Sequence, residues 1–129
     1  MVNIVIIGFG NIGKRHLEAC IKNKSVKRIY IIEKYISQIK NINFNKINKE
    51  ILVLNKIQKL DDSIYLTIIA TDSLNRYTTT INFLRANHSK YILFEKFLFN
   101  NLNHYNYINS LLKNKKIKAN VNCNRRISQ

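Results

Sequence analysis

The feature that most constrains this chain is Gly8-Phe9-Gly10-Asn11-Ile12-Gly13, set directly after the apolar run Val2-Asn3-Ile4-Val5-Ile6-Ile7. The order predicts a buried strand, a tight turn, and a helix that begins at the third glycine. Each glycine then has its own work. Gly8 permits the sharp turn, Gly10 carries no Cβ to hold an anion off the backbone, and Gly13 lets the helix lie close on the strand. A helix N-terminus presents unpaired amides and a partial positive charge. Such a turn suits a pyrophosphate.

The flanking sequence agrees with that expectation. Leu17, Cys20 and Ile21 repeat at helical spacing, with Lys14, Arg15, Glu18 and Lys22 on the other faces. A second apolar run, Ile29-Tyr30-Ile31-Ile32, ends in Glu33, at the spacing where an acidic residue meets an adenosine ribose. A carboxylate there accepts from the ribose hydroxyls and repels a 2′-phosphate, so NAD is favoured over NADP. Lys34 beside it works against that preference.

Further along, Ile36, Ile39 and Ile42 outline a short helix before an Asn-rich loop, and Ile51–Leu54 reads as a strand. Leu60-Asp61-Asp62 is a turn. Ser63–Ala70 is a strand apolar along most of its length, as in a parallel sheet covered on both faces. Leu74, Tyr77, Thr78, Ile81 and Leu84 mark a helix running to Asn87 and His88, with Asp72 and Ser73 as its cap. Tyr91–Phe94 is the next strand, closing with Glu95-Lys96. Leu102, Tyr105, Ile108, Leu111 and Leu112 describe another helix, then Lys115–Lys118 a turn and Ala119–Cys123 a last strand. Alternating strands and helices predict a single α/β domain, a doubly wound parallel sheet of Rossmann type ordered 3-2-1-4-5-6.

The chain has 129 residues and a formal charge of +15. A nucleic-acid binder is one source of such charge. Here the lysines are spread along the whole chain, Asn and Ile are equally overused and proline is absent, which is the imprint of an AT-rich coding sequence. No nucleic-acid partner is expected. No run approaches the roughly 20 apolar residues that span a bilayer, and the N-terminus has no signal pattern, so no membrane partner and a cytoplasmic location are expected. Cys20 and Cys123 lack metal spacing and read as core thiols; with three scattered histidines, no metal site is expected.

Ligands of such sheets bind beyond the carboxyl ends of the strands, so Gly8–Gly13, Glu33, Ala70-Thr71-Asp72-Ser73, Glu95-Lys96 and Asn124-Arg125-Arg126 matter most. Taken in order, these segments resemble the N-terminal domain of the Gfo/Idh/MocA oxidoreductases. Gly8–His16 is similar to the family's opening glycine motif followed by a basic residue and His. Ala70-Thr71 matches its Ala-Thr-Pro loop, Glu95-Lys96 its Glu-Lys-Pro motif, and Asn124-Arg125-Arg126 the crossover to a second domain. Three positions depart from the pattern: Asp72 and Phe97 replace the prolines, and Arg76 stands where a histidine is common.

The resemblance implies a cofactor-binding domain over 1–122, with 123–129 starting the crossover toward an absent substrate domain. It implies cofactor contacts at Gly8, Gly10, Asn11, Ile12, Gly13, Glu33, Ala70, Thr71, Asp72, Glu95 and Lys96, and assigns Lys96 to proton transfer at a sugar hydroxyl. The function expected is the cofactor-binding portion of an NAD(P)-dependent oxidoreductase of a sugar, nucleotide-sugar or cyclitol, inactive alone, with substrate binding supplied by a separate substrate-domain chain or by a longer parent protein. The alternative is a non-catalytic nucleotide-binding sensor or partner subunit. Oligomeric state is left open.

Overall fold

The computed structural model describes residues 1–35, 39, 43–44, 47–95, 99 and 101–122. In chain order the elements are β1 (Val2–Ile7), α1 (Asn11–Lys22), β2 (Val26–Ile32), β3 (Glu50–Leu54) and β4 (Ile64–Ile69). They continue with α2 (Ser73–Ala86), β5 (Ser89–Glu95), α3 (Leu102–Asn114) and β6 (Lys118–Asn122). The short helix expected around Ile36 and Ile42 lies outside the described residues.

The strands form one six-stranded sheet in the order β3-β2-β1-β4-β5-β6, with every pairing parallel. This is the predicted topology. The register is what builds a site. Ile7 pairs with Ile32 on one side and Ile69 on the other, Ile69 pairs with Phe94, and Phe94 with Val121. The residues that follow these tips, Glu33, Gly8, Ala70, Glu95 and Asn122, therefore fall along one edge.

Two apolar clusters sandwich the sheet. One gathers Val5, Ile7, Ile69 and Phe94 with Phe83 and Leu84 of α2 and Ile108 and Leu112 of α3. The other packs Leu17 and Cys20 of α1 on Ile4, Ile6, Ile29, Ile31 and Ile68. Cys20 is a buried free thiol, as expected, and burial pushes its pKa up. The opposite edge is tied by Arg28, whose guanidinium reaches Asp62 at 2.5 Å and Glu50 at 2.8 Å; the Tyr30 hydroxyl also donates to Asp62.

Buried Asn87 caps the end of α2, its N–H donating to Phe83 O at 2.8 Å. Its side chain accepts from Leu60 N–H at 2.8 Å and donates to the Gln58 carbonyl at 2.9 Å, pinning the β3–β4 connection.

The helix after the glycine turn starts earlier than expected. Gly10 is its N-cap, in extended conformation, and Asn11 its first residue. Gly13 is thus inside the first turn, where a Cβ would sit 2.2 Å from the Gly8 carbonyl oxygen. Gly8 itself has φ +91°, and a Cβ there would fall 2.8 Å from the Thr71 amide. By contrast, nothing lies within 4 Å of a Cβ placed on Gly10. Backbone–backbone contact cannot give way as a side-chain tip can. Gly13→Ala is therefore expected to cost about 2 kcal/mol or more of unfolding free energy. Gly10→Ala, an N-cap change in open space, should cost less than about 1 kcal/mol. Urea unfolding of the two variants checks the contrast.

Candidate functional site

The aligned strand tips border a cleft of about 490 Å³ at the point where the chain order reverses between β1 and β4. That volume is in the range of small-molecule and cofactor sites. Of the residues singled out from sequence, Gly8, Gly10, Glu33, Ala70, Thr71 and Asp72 line it. Asn11, Ile12, Gly13 and Glu95 do not, and Lys96, Arg125 and Arg126 lie outside the described residues.

At the turn, the first α1 amide with a backbone partner is that of Lys14, which donates to Gly10 O at 3.0 Å. Ahead of it, the amides of Gly10, Asn11, Ile12 and Gly13 have no partner among the described residues. The Phe9 amide is different. It donates to Glu33 Oε1 at 2.7 Å, so this amide of the turn is already engaged by a side chain. The β2 tip and the β1 turn are neighbours in the sheet, and a carboxylate at the tip reaches the nearest amide.

Glu33 is consequently not a solvated acid. The residue is 8% exposed, and its Oε2 accepts from the Tyr35 amide at 2.8 Å. Two backbone donors fix the carboxylate at the cleft wall, where each oxygen retains acceptor capacity. Beside it Lys34 is exposed, its ammonium 5.1 Å from the centre of the Tyr35 ring. Sequence reasoning missed Tyr35, and also Asn55 and Lys56 after β3 and Asn75, Thr78 and Thr79 on α2, all of which line the same cleft. Polar residues in loops and on a weakly patterned helix give no sequence signal of this kind.

On the β4 side, Asp72 caps α2 by accepting from Asn75 N–H at 3.0 Å, as expected of it, and the helix begins at Ser73. Those bonds, with Lys34 nearby, hold its carboxyl below the usual range. The Thr71 hydroxyl is buried and has no partner among the described residues. It is an unspent polar group at the cleft.

Glu95 draws three elements together. Its carboxylate lies 2.6 Å from His16 Nε2 of α1, and Asn122 of β6 donates to it at 3.3 and 3.4 Å. Its carbonyl accepts from Arg76 of α2 at 3.1 Å. The basic residue and His after the glycine motif thus have a partner 79 positions away. The His16–Glu95 contact becomes an ion pair whenever the imidazole is protonated.

An open glycine, four amides without partners, a fixed carboxylate and an unspent hydroxyl around one cleft fit a dinucleotide. The chain matches a family profile described as "Oxidoreductase family, NAD-binding Rossmann fold" over residues 2–123. It belongs to the Gfo/Idh/MocA oxidoreductase family. As a member of that family it is an NAD(P)-binding Rossmann domain. No curated protein matches it by sequence.

Among solved structures, it is similar to a provisionally assigned myo-inositol dehydrogenase of Sinorhizobium meliloti (TM-score 0.74, 23% identity), covering 98% of this chain and 37% of that one. The WlbA dehydrogenase of Chromobacterium violaceum, solved with NADH and UDP-GlcNAcA, superposes with a TM-score of 0.77 at 17% identity. That match covers 97% of this chain and 36% of the other. A provisionally assigned NADPH-dependent oxidoreductase of Desulfitobacterium hafniense gives 0.78 at 17% identity, covering 98% and 35%. The chain thus spans little more than a third of these relatives. Among its described residues no helix is long and apolar enough to cross a membrane, and no group of His, Cys, Asp or Glu could hold a metal ion.

The Asp72 cap yields a pH prediction. Its folded pKa is depressed, so its stabilisation is complete above the unfolded value of about 3.9 and is lost as pH falls through the lower folded value. Asp72→Ala should lose about 1 kcal/mol at pH 7. Asp72→Asn, a cap that does not titrate, should show a flatter stability profile than the unsubstituted chain between about pH 4 and pH 2. Urea midpoints across that range measure both.

Proposed function

We propose that the chain binds NAD in this cleft. It would thereby form the cofactor-binding portion of an oxidoreductase acting on a hydroxyl of a sugar, nucleotide-sugar or cyclitol. The observation that carries the reading is the meeting of the open Gly10 and the partnerless amides of Gly10–Gly13 with the fixed Glu33 carboxylate at one strand edge. Gly8, Gly10, Asn11, Ile12 and Gly13 would hold the pyrophosphate. Glu33 would accept from the adenosine ribose, with Tyr35, Asn55 and Thr78 around the adenine. Ala70, Thr71 and Asp72, with Glu95 and Lys96, would serve the nicotinamide half.

Glu33 is also the reason to propose NAD over NADP. A carboxylate held by two amides cannot swing aside, and a 2′-phosphate would be pressed against it. Lys34 is engaged with the Tyr35 ring rather than with that carboxylate.

When bound, the nicotinamide accepts the hydride. The chain must then handle a proton, and Lys96 is the proposed group: it takes the hydroxyl proton of the substrate as the C–H bond is broken. That role needs a pKa lowered from about 10.4 toward roughly 7–8. Glu95 directly precedes it, and its bonds to His16, Asn122 and Arg76 brace the strand end from which Lys96 departs. Substrate binding would belong to a second domain, on a separate chain or in a longer parent protein, toward which residues 123–129 would lead. Alone, the domain is expected to bind cofactor with little or no turnover. The substrate class is supported by the family and by relatives described as acting on myo-inositol or solved with a UDP-sugar.

Fluorescence titration with NADH tests the reading. The chain should bind, and Gly10→Ala, folded as before, should bind at least about tenfold more weakly because a methyl replaces open space at the phosphates (~1.4 kcal/mol). Glu33→Ala should narrow the preference for NADH over NADPH by about tenfold. Unaltered binding by Gly10→Ala would remove the phosphates from this turn.

A further inference from the structure

We propose that Arg76 is a positioning residue, which sets the spacing between the β4 and β5 loops by holding the carbonyls of Thr71 and Glu95 in one guanidinium. The inference rests on the NAD-binding reading above. Arg76 is only 3% exposed, an unusual place for an arginine on a helix. Its Nη2 donates to Thr71 O at 2.5 Å and its Nη1 to Glu95 O at 3.1 Å. The two carbonyls belong to neighbouring strand ends, since Ile69 pairs with Phe94. One side chain from α2 therefore ties together the loops proposed to flank the nicotinamide.

Several facts say that this tie matters. Burial pushes the Arg76 pKa down, and the nearby Glu95 and Asp72 carboxylates oppose that shift. The chain has no proline, so no ring stiffens the chain after β4 or β5. The Glu95 carboxylate is already held by His16 and Asn122, whereas its carbonyl and that of Thr71 share Arg76. A planar fork can grip two carbonyls at a set separation, and a lysine ammonium cannot do so in the same geometry. Glu33 and Tyr35, at the adenosine end, lie beyond β1 from this fork.

The consequence is selective. Releasing the fork should loosen the nicotinamide end and leave the ADP-ribose end intact. Calorimetric titration of the chain and of Arg76→Lys with NADH and with ADP-ribose reads this directly. The expected result is NADH affinity down by about tenfold with ADP-ribose affinity within about twofold of the unsubstituted chain. Equal losses for both ligands, or no change for either, would overturn the inference. The unsubstituted chain supplies a second measurement that does not depend on a variant folding. The Arg76 guanidinium NMR signals should shift on adding NADH and stay in place with ADP-ribose, and the same response to both would also overturn it. If the unsubstituted chain bound neither ligand, the NAD-binding reading itself would fall.

Discussion

The structure depends on backbone meeting backbone at the first turn. Gly13 brings α1 against the Gly8 carbonyl, and Gly8, in a left-handed conformation, meets the amide of Thr71 at the end of β4. These approaches leave no room for a Cβ. They fix where the helix N-terminus points, and so where its partnerless amides face. They also set the glycine turn against the loop after β4, which is how segments more than fifty residues apart come to border one cleft. A side chain at either glycine would push the turn away from β4 and open the site before any ligand arrived.

From that contact outward, the site is assembled by register. Parallel pairing aligns Ile32, Ile7, Ile69, Phe94 and Val121, and the residue after each tip is then delivered to the same edge. Few of these residues are left loose. Glu33 is held by two amides, Asp72 by the start of α2, and Glu95 by His16, Asn122 and Arg76. Such fixed groups bind a ligand without first being ordered, which saves side-chain entropy on association.

The parallel sheet and its order were legible because near-continuous apolar runs, broken by helical patterns, admit few other arrangements. Glu33 was legible too, since its distance from the glycines is set by one strand–helix–strand unit. What escaped was of another kind. Phe9 N–H bonding to Glu33, and His16 meeting Glu95, are contacts between segments whose proximity exists only once the sheet has formed. Nothing in the sequence marked Arg76 and Asn87 as buried, yet both are, because neighbouring segments offer carbonyls and amides to their side chains. The start of α1 was placed too late because Gly10 serves as cap, a role that composition at a glycine-rich turn does not separate from turn or helix. Membership in the Gfo/Idh/MocA family, carried by residues 2–123, agrees with the motif order read from sequence.

The central claim is that a pyrophosphate is received by the amides ahead of Lys14. Amide NMR during titration of the chain with NADH tests this most directly. The account predicts the largest shifts at Gly10, Asn11, Ile12 and Gly13, saturating together with those of Glu33 and Thr71. Binding that moved other residues and left these amides where they were would contradict it.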